Sequence, residues 1–452
     1  MKNYDAVIIG FGKGGKTLAG EMANHGWKVA VIEKSNKMYG GTCINVGCIP
    51  TKYLIIEAGK NKFKNLNSFE EYAEVYKNTI EKKNELISIF RKKNYDNLND
   101  KENIDIYTGE GSFVNEKVIE IKLENEAVQI KGERIFINTG AETIIPPIKG
   151  LKENKYIYDS EAIMQLKKLP KKLIIIGGGY IGLEYADMYN NFGAEVTVLE
   201  GSPLFIPRED REIANEIQKV MEKKGIKFVL GAKVTEVLEN KVSYEKDGQI
   251  ESVDGDAILV AVGRKPNIKG LNLENVGIKT TDRGAILVDD NLHTSVDNVW
   301  AMGDVHGGLQ FTYTSLDDYR IIRSELFGDK KYSLKERGPV PYTVFIDPQF
   351  SRVGMTEEEA IQKGYKVKTS KMPATTPRMK ISGETDGLLK TVVDAETGKI
   401  LGASLFFAQS GEVINNIRLA MMADKDYTFL RDGIFTHPTM SETLNDLFGQ
   451  IK

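Results

Sequence analysis

Short apolar runs that close on glycine, each followed by a helical pattern, set out the architecture of this chain. Asp5-Ala6-Val7-Ile8-Ile9 reads as a buried strand ending in Gly10-Phe11-Gly12-Lys13-Gly14-Gly15. A helix-period segment follows, then a second strand over residues 28–32 that closes on Glu33. The layout recurs: an apolar strand at 173–176, then Gly177-Gly178-Gly179-Tyr180-Ile181-Gly182, a helix, and a strand at 195–199 closing on Glu200. In each copy the first glycine stands 23 positions before the acid. Short apolar strands alternating with helices predict a parallel α/β sheet, here written twice.

The glycines have a physical purpose. Gly10, Gly12 and Gly15, like Gly177, Gly179 and Gly182, allow a tight turn, close backbone approach to a pyrophosphate and close helix–strand packing. The pyrophosphate then rests on the helix N-terminus, while Glu33 or Glu200 reaches ribose hydroxyls. Two such units at equal spacing predict two dinucleotides, a flavin and a nicotinamide. A carboxylate at Glu200 favours NADH over NADPH, a bias that Arg208 and Arg211 downstream could soften.

Past the second unit, Val260-Ala261-Val262-Gly263-Arg264 and Trp300-Ala301-Met302-Gly303-Asp304 read as strand ends with glycine turns. From about residue 340 the texture changes. Strand-like pieces at 342–346, 387–394 and 400–405 precede an amphipathic segment at 412–423, with no nucleotide fingerprint, which predicts a separate α+β domain.

At 452 residues the chain can hold two or three domains with sizeable cores. Its net charge of -3 gives no basis for nucleic-acid binding, and no apolar run approaches the ~18–20 residues that span a bilayer. The strand pattern starts directly after residues 1–5, so a cytoplasmic protein is expected. The Lys- and Asn-rich stretch 60–97 reads as solvated helix faces.

Cysteine adds the chemistry. Both cysteines of the chain, Cys43 and Cys48, lie in Gly40-Gly41-Thr42-Cys43-Ile44-Asn45-Val46-Gly47-Cys48-Ile49-Pro50-Thr51-Lys52. In a reducing compartment such a pair points to redox catalysis or metal binding rather than a structural disulfide. Positions five apart on a regular helix are ~7.5 Å apart along its axis, beyond the ~4.4–6.8 Å between Cα atoms of a disulfide. Pairing therefore requires a break, which Gly47 and Pro50 permit. A zinc site lacks partners, since the four histidines are scattered.

With the thiol run, both fingerprints, Thr139-Gly140-Ala141, the 301–304 turn and the ending Thr436-His437-Pro438-Thr439-Met440-Ser441-Glu442, the chain resembles the class I pyridine nucleotide-disulfide oxidoreductases. That family includes lipoamide dehydrogenase, glutathione reductase and mercuric reductase. The stretch 307–320 and the ending 442–448 look like the branch of the reactive-chlorine-resistance flavoprotein and the hypothiocyanous acid reductases. The resemblance implies an FAD-binding domain over residues 1–147 and 270–335, a NAD(P)-binding domain over 148–269 and a dimerisation domain over 336–452.

It also implies roles. Glu33, Thr42, Gly111, Gly140 and Asp304 would hold FAD, with Asp304 on the ribityl chain, and Lys52, paired with Glu184, would lie near the flavin's reactive nitrogen. Glu200 and Gly263 would contact NADH or NADPH, whose pocket Tyr180 would gate. Reduced nicotinamide would pass hydride to the flavin, which would open a Cys43–Cys48 disulfide through Cys48. Cys43 would then attack substrate as thiolate, favoured by a nearby base and a helix N-terminus. His437, oriented by Glu442, would be the acid or base, supplied from the partner of a homodimer. His25, His293 and His306 carry no such context. The absence of further cysteines near the C-terminus lowers the mercuric option, and a small oxidant such as hypothiocyanous acid fits the branch.

Overall fold

The computed structural model describes residues 1–152 and 154–452. Two five-stranded parallel sheets and one five-stranded antiparallel sheet form its frame. In the first, strand Ala6–Ile9 is central, flanked by Val29–Glu33 and then Ile104–Thr108 on one side, and by Ile135–Ile137 and Val299–Ala301 on the other. In the second, Lys172–Ile176 is central, between Glu195–Glu200 and Ala257–Val260. Both glycine loops therefore leave the strand where the connections change direction, the crevice in which open α/β sheets bind ligands. The last strand of the first sheet comes from after the second unit, so the chain returns to deliver Asp304 beside the first glycine loop.

The all-buried strands Ala6–Ile9, Ile135–Ile137 and Ala257–Val260 explain the uninterrupted apolar runs, since helices or a further layer cover both faces. The third sheet runs in the order Tyr342–Val344, Phe350–Gly354, Ile400–Phe406, Leu388–Asp394, Val367–Pro373, all antiparallel, with helix Ser410–Met422 against it. This is the α+β unit expected from residue 340 onward. Helix Phe69–Asn99, begun by a Ser68–Glu71 capping box, exposes most of its charges, as expected for that stretch. It nonetheless buries Tyr76, Ile80, Lys83 and Ile87. Among the described residues no helix is long and apolar enough to cross a membrane.

The thiol helix Cys48–Gly59 matters most for position. It begins beside the first glycine loop, but Leu54 and Ala58 are buried in a core shared with Leu183, Tyr185 and Val198 of the second unit and Phe350 of the third sheet. One rigid element thus spans the joint between the two nucleotide units.

Candidate active site

Cys43 lies in the short helix Gly41–Asn45, and Cys48 opens helix Cys48–Gly59. Between them Val46 and Gly47 leave helical geometry, with φ/ψ of -143°/8° and -127°/-115°. The break therefore falls at Gly47, where a Cβ would stand 3.0 Å from the Thr42 carbonyl oxygen. Pro50 is not part of it: it sits in the first turn of the second helix, where its missing N–H leaves no bond unmade. Gly41 adopts φ +75°, and a Cβ there would meet Gly12 Cα at 2.7 Å. Glycine on both sides lets the thiol segment lie directly on the first nucleotide loop.

The two sulfurs, present as free thiols, are hydrogen-bonded to each other. The bond from Cys43 pulls the Cys48 thiol down to about 6 against the opposing effect of burial. The Thr312 hydroxyl, 3.3 Å from Cys48 Sγ, and the Lys52 ammonium act in the same direction. The same thiol–thiol bond, with burial, holds the Cys43 thiol far above its ordinary range. Cys48 is also the first residue of the longer helix, Cys48–Gly59, whose N-terminus favours the charged form there. Of the two, Cys48 is the thiol held down and Cys43 the thiol held up.

Lys52, one turn along, donates to Glu184 Oε2 at 2.6 Å and stacks over the Phe345 ring at 4.7 Å. Glu184 Oε1 in turn accepts from Phe345 N at 2.9 Å, which fixes the carboxylate. Strands 342–344 and 350–354 thus support the pair from the third sheet.

A cavity of about 1950 Å³ runs from the first glycine loop past both thiols to the second loop. Gly10, Gly12, Glu33, Thr42, Cys43, Cys48, Lys52, Gly111, Gly140 and Asp304 face its first part, and Gly177, Gly179, Tyr180, Glu184, Glu200 and Gly263 its second. Gly15 and Gly182 do not. A Cβ on Gly15 would meet Ile8 Cγ2 at 2.9 Å, and one on Gly182 the Gly177 carbonyl oxygen at 2.1 Å, so the third glycine of each loop is there for helix–strand packing. Glu33 accepts from Phe11 N at 3.1 Å, and burial raises its carboxyl. Glu200 accepts from Gly178 N at 2.6 Å and Ser202 N at 2.7 Å. Burial raises Asp304 as well. Arg211 is spent on the carbonyls of Phe205, Ile206 and Glu209, while Arg208, Lys233 and Arg264 are basic side chains that line the second part of the cavity. Two acids placed for ribose and an open backbone at Gly179, with nothing within 4 Å of a Cβ, fit two dinucleotides.

His437 and Glu442 are paired as expected, Nδ1 to carboxylate at 2.8 and 2.9 Å, but the pair lies outside the residues lining this cavity and His437 is largely exposed. One chain does not bring the imidazole to its own thiols. His306, read as bland, is 3.1 Å from buried Asp318, and His293 is 2.7 Å from Glu325.

Three contributors went unnoticed in the sequence. Asn138 accepts from Gly15 N at 2.9 Å and donates to Met302 O at 2.8 Å, tying the first loop to the Asp304 turn. Thr312 reaches Cys48 from 264 positions away. Tyr342 stacks on Tyr180 at 5.6 Å. Asn138 adjoins the segment 139–141 and Thr312 lies within 307–320, but no local pattern marks a tertiary partner.

Residues 4–318 match the family model of the pyridine nucleotide-disulphide oxidoreductases, and residues 340–448 match that family's dimerisation domain. The chain belongs to this family. As a member it is an oxidoreductase that uses FAD and NAD(P)H around a redox-active thiol pair. It is 48% identical, over 100% of both chains, to the probable pyridine nucleotide-disulfide oxidoreductase RclA of Escherichia coli (strain K12). Mercuric reductase of Staphylococcus aureus is 34% identical, covering 98% of this chain and 81% of the relative. The oxidoreductase also superposes with a TM-score of 0.93, over 100% of both chains, on the solved Cu(II) complex of the HOCl-induced flavoprotein disulfide reductase RclA from Escherichia coli.

Proposed function

We propose that this oxidoreductase spends NAD(P)H to reduce a small electrophilic oxidant, hypothiocyanous acid, in the cytoplasm, working as a homodimer. The observation that carries the reading is the polarised pair Cys43–Cys48 at the junction of two dinucleotide loops. Similarity along the full chain to an HOCl-induced flavoprotein disulfide reductase supports the choice of substrate class.

FAD, when bound, supplies the two-electron link between nicotinamide and disulfide. Glu33, Asp304 and the first glycine loop would hold it, and Lys52, fixed by Glu184, would place an ammonium at its reactive edge. In the dithiol form Cys48 carries the negative charge and Cys43 the proton. Loss of that proton to the partner's imidazole, oriented as His437 is by Glu442, frees Cys43 to attack the sulfur of HOSCN. An S–S bond forms, the S–O bond breaks, and hydroxide leaves as water with the proton held by imidazole. Cys48 then displaces thiocyanate and restores the disulfide. The balance is NADH + HOSCN → NAD+ + SCN- + H2O.

The test is NADH and NADPH consumption by the FAD-loaded protein with hypothiocyanite, oxidised glutathione, lipoamide, Hg(II) and Cu(II). We expect kcat/KM for hypothiocyanite to exceed that for either disulfide by more than about tenfold, ~1.4 kcal/mol in transition-state terms. The reverse order removes the reading. Cu(II) reduction is the second reading, favoured by the copper complex of the similar reductase. Among the described residues no group of three or more His, Cys, Asp or Glu could hold a metal, and the thiol pair is the softest pair of ligands for copper in the cavity.

A further inference from the structure

Tyr180 is the first residue of helix Tyr180–Asn191, directly after the open backbone of Gly179. Its hydroxyl donates to Glu209 Oε1, and its ring stacks on Tyr342. The same Glu209 oxygen accepts from Tyr342 Oη at 2.6 Å, and Oε2 lies 3.4 Å from Arg352 Nη1. Tyr342 and Arg352 are cross-strand partners in the third sheet, so that sheet presents both to one point. Glu209 itself is buried and its backbone is clamped: Arg211 donates twice to its carbonyl, at 3.1 and 2.6 Å, and its neighbour Asp210 caps the next helix and pairs with Lys390 at 2.8 Å.

A buried carboxylate needs partners, and Glu209 has three, Tyr180, Tyr342 and Arg352. If Tyr180 leaves, Arg352 and Tyr342 still satisfy the charge, so no unpaired ion is created. What is lost is one charge-assisted hydrogen bond and one ring stack. That arrangement has the form of a catch.

We propose that Glu209 is a positioning residue for nicotinamide entry, holding Tyr180 over the second nucleotide site from an anchor in the C-terminal sheet. The proposal rests on the reading of Tyr180 as the gate of that site. Glu209 sets the fraction of molecules whose gate stands open, and binding is weakened by that fraction. It has no part in the thiol chemistry, which lies beyond Lys52.

The experiment is stopped-flow reduction of the bound flavin by NADH in the holoenzyme. In Glu209→Gln a neutral acceptor replaces a charged one, and the apparent Kd for NADH falls roughly fivefold with the limiting rate constant unchanged. Tyr180→Phe gives the same shift, and the double variant goes no further than Tyr180→Phe alone. Tyr342→Phe removes the competing donor at 2.6 Å, a stronger contact than the 3.4 Å one between the two hydroxyls that goes with it, and so tightens the catch and raises the apparent Kd by about twofold. Reoxidation of the dithiol enzyme by hypothiocyanite stays at the wild-type rate in Glu209→Gln. Should that variant lose FAD, the opposite-signed shift in Tyr342→Phe decides alone, and an unchanged Kd there overturns the proposal. A shift in Tyr180→Phe with none in Glu209→Gln also overturns it while leaving the gate intact. No shift in either Tyr180→Phe or Tyr180→Ala removes the gate reading and the catch together.

Discussion

The two glycine loops have the same residue types at the same spacing, yet their surroundings differ. At the first, Gly12 is enclosed: a Cβ would sit 2.5 Å from Asn138 Oδ1, and Gly41 of the thiol segment presses on Gly12 Cα from the other side. Its acid, Glu33, is buried. At the second, a Cβ on Gly179 meets nothing within 4 Å, and the acid, Glu200, is half-buried at the cavity wall. An enclosed loop suits a group that stays, and an open one a group that comes and goes. On the function proposed above, the enclosed loop would hold a resident FAD and the open one a visiting nicotinamide, and packing would separate the two uses of a shared motif.

The sharpest way to break this contrast is to add one methyl group to each side. Gly41→Ala puts a Cβ at φ +75° against Gly12 Cα, so backbone must move. We expect a stability loss of roughly 2–4 kcal/mol, FAD released on purification, and turnover down by more than about a hundredfold. Gly179→Ala has ordinary backbone (φ -75°, ψ -179°) and room for the methyl group. Its stability should stay within about 0.5 kcal/mol of wild type, FAD should be retained, and KM for NADH should rise by about tenfold or more as the methyl group takes space meant for pyrophosphate. Equal FAD loss in both variants would erase the resident–visitor distinction.

A second test sharpens the open loop. Glu200 is held by two backbone N–H groups, with Arg208 also lining that part of the cavity. Glu200→Gln keeps the shape and removes the charge that would repel a 2′-phosphate. The ratio of kcat/KM for NADPH to that for NADH should rise by about tenfold, ~1.4 kcal/mol. No change would mean that Glu200 does not set the preference.

Much of this was legible beforehand, for a physical reason. Strand–glycine–helix signals are local, and so is the Cys43–Cys48 spacing with its obligatory break. The sequence reading therefore reached the α/β class, both loops and the C-terminal α+β sheet. It overran on Pro50, since a proline in the first turn of a helix and a proline that breaks one look alike without the helix start. The partners of Asn138, Thr312, Glu209 and Tyr342 are written in no local pattern. Each acts across more than a hundred residues of chain, or between sheets, and only the fold brings it to its partner.

The smallest expected effect tests the polarity of the thiols. A group lowered to about 6 is thiolate above that pH and loses its charge as pH falls through it. In the dithiol enzyme the Cys48 thiolate signal should therefore persist at neutral pH and fade on acidification with a midpoint near 6, while Cys43 stays protonated at neutral pH. Thr312→Val removes one hydrogen bond at 3.3 Å and leaves Lys52 and Cys43 in place. The midpoint should rise by less than about one pH unit, under ~1.4 kcal/mol, because Thr312 ranks behind the Cys43 bond among the causes. Lys52→Met should move it the same way. A midpoint that falls in either variant would show that the Thr312 hydroxyl or the Lys52 ammonium does not stabilise the thiolate.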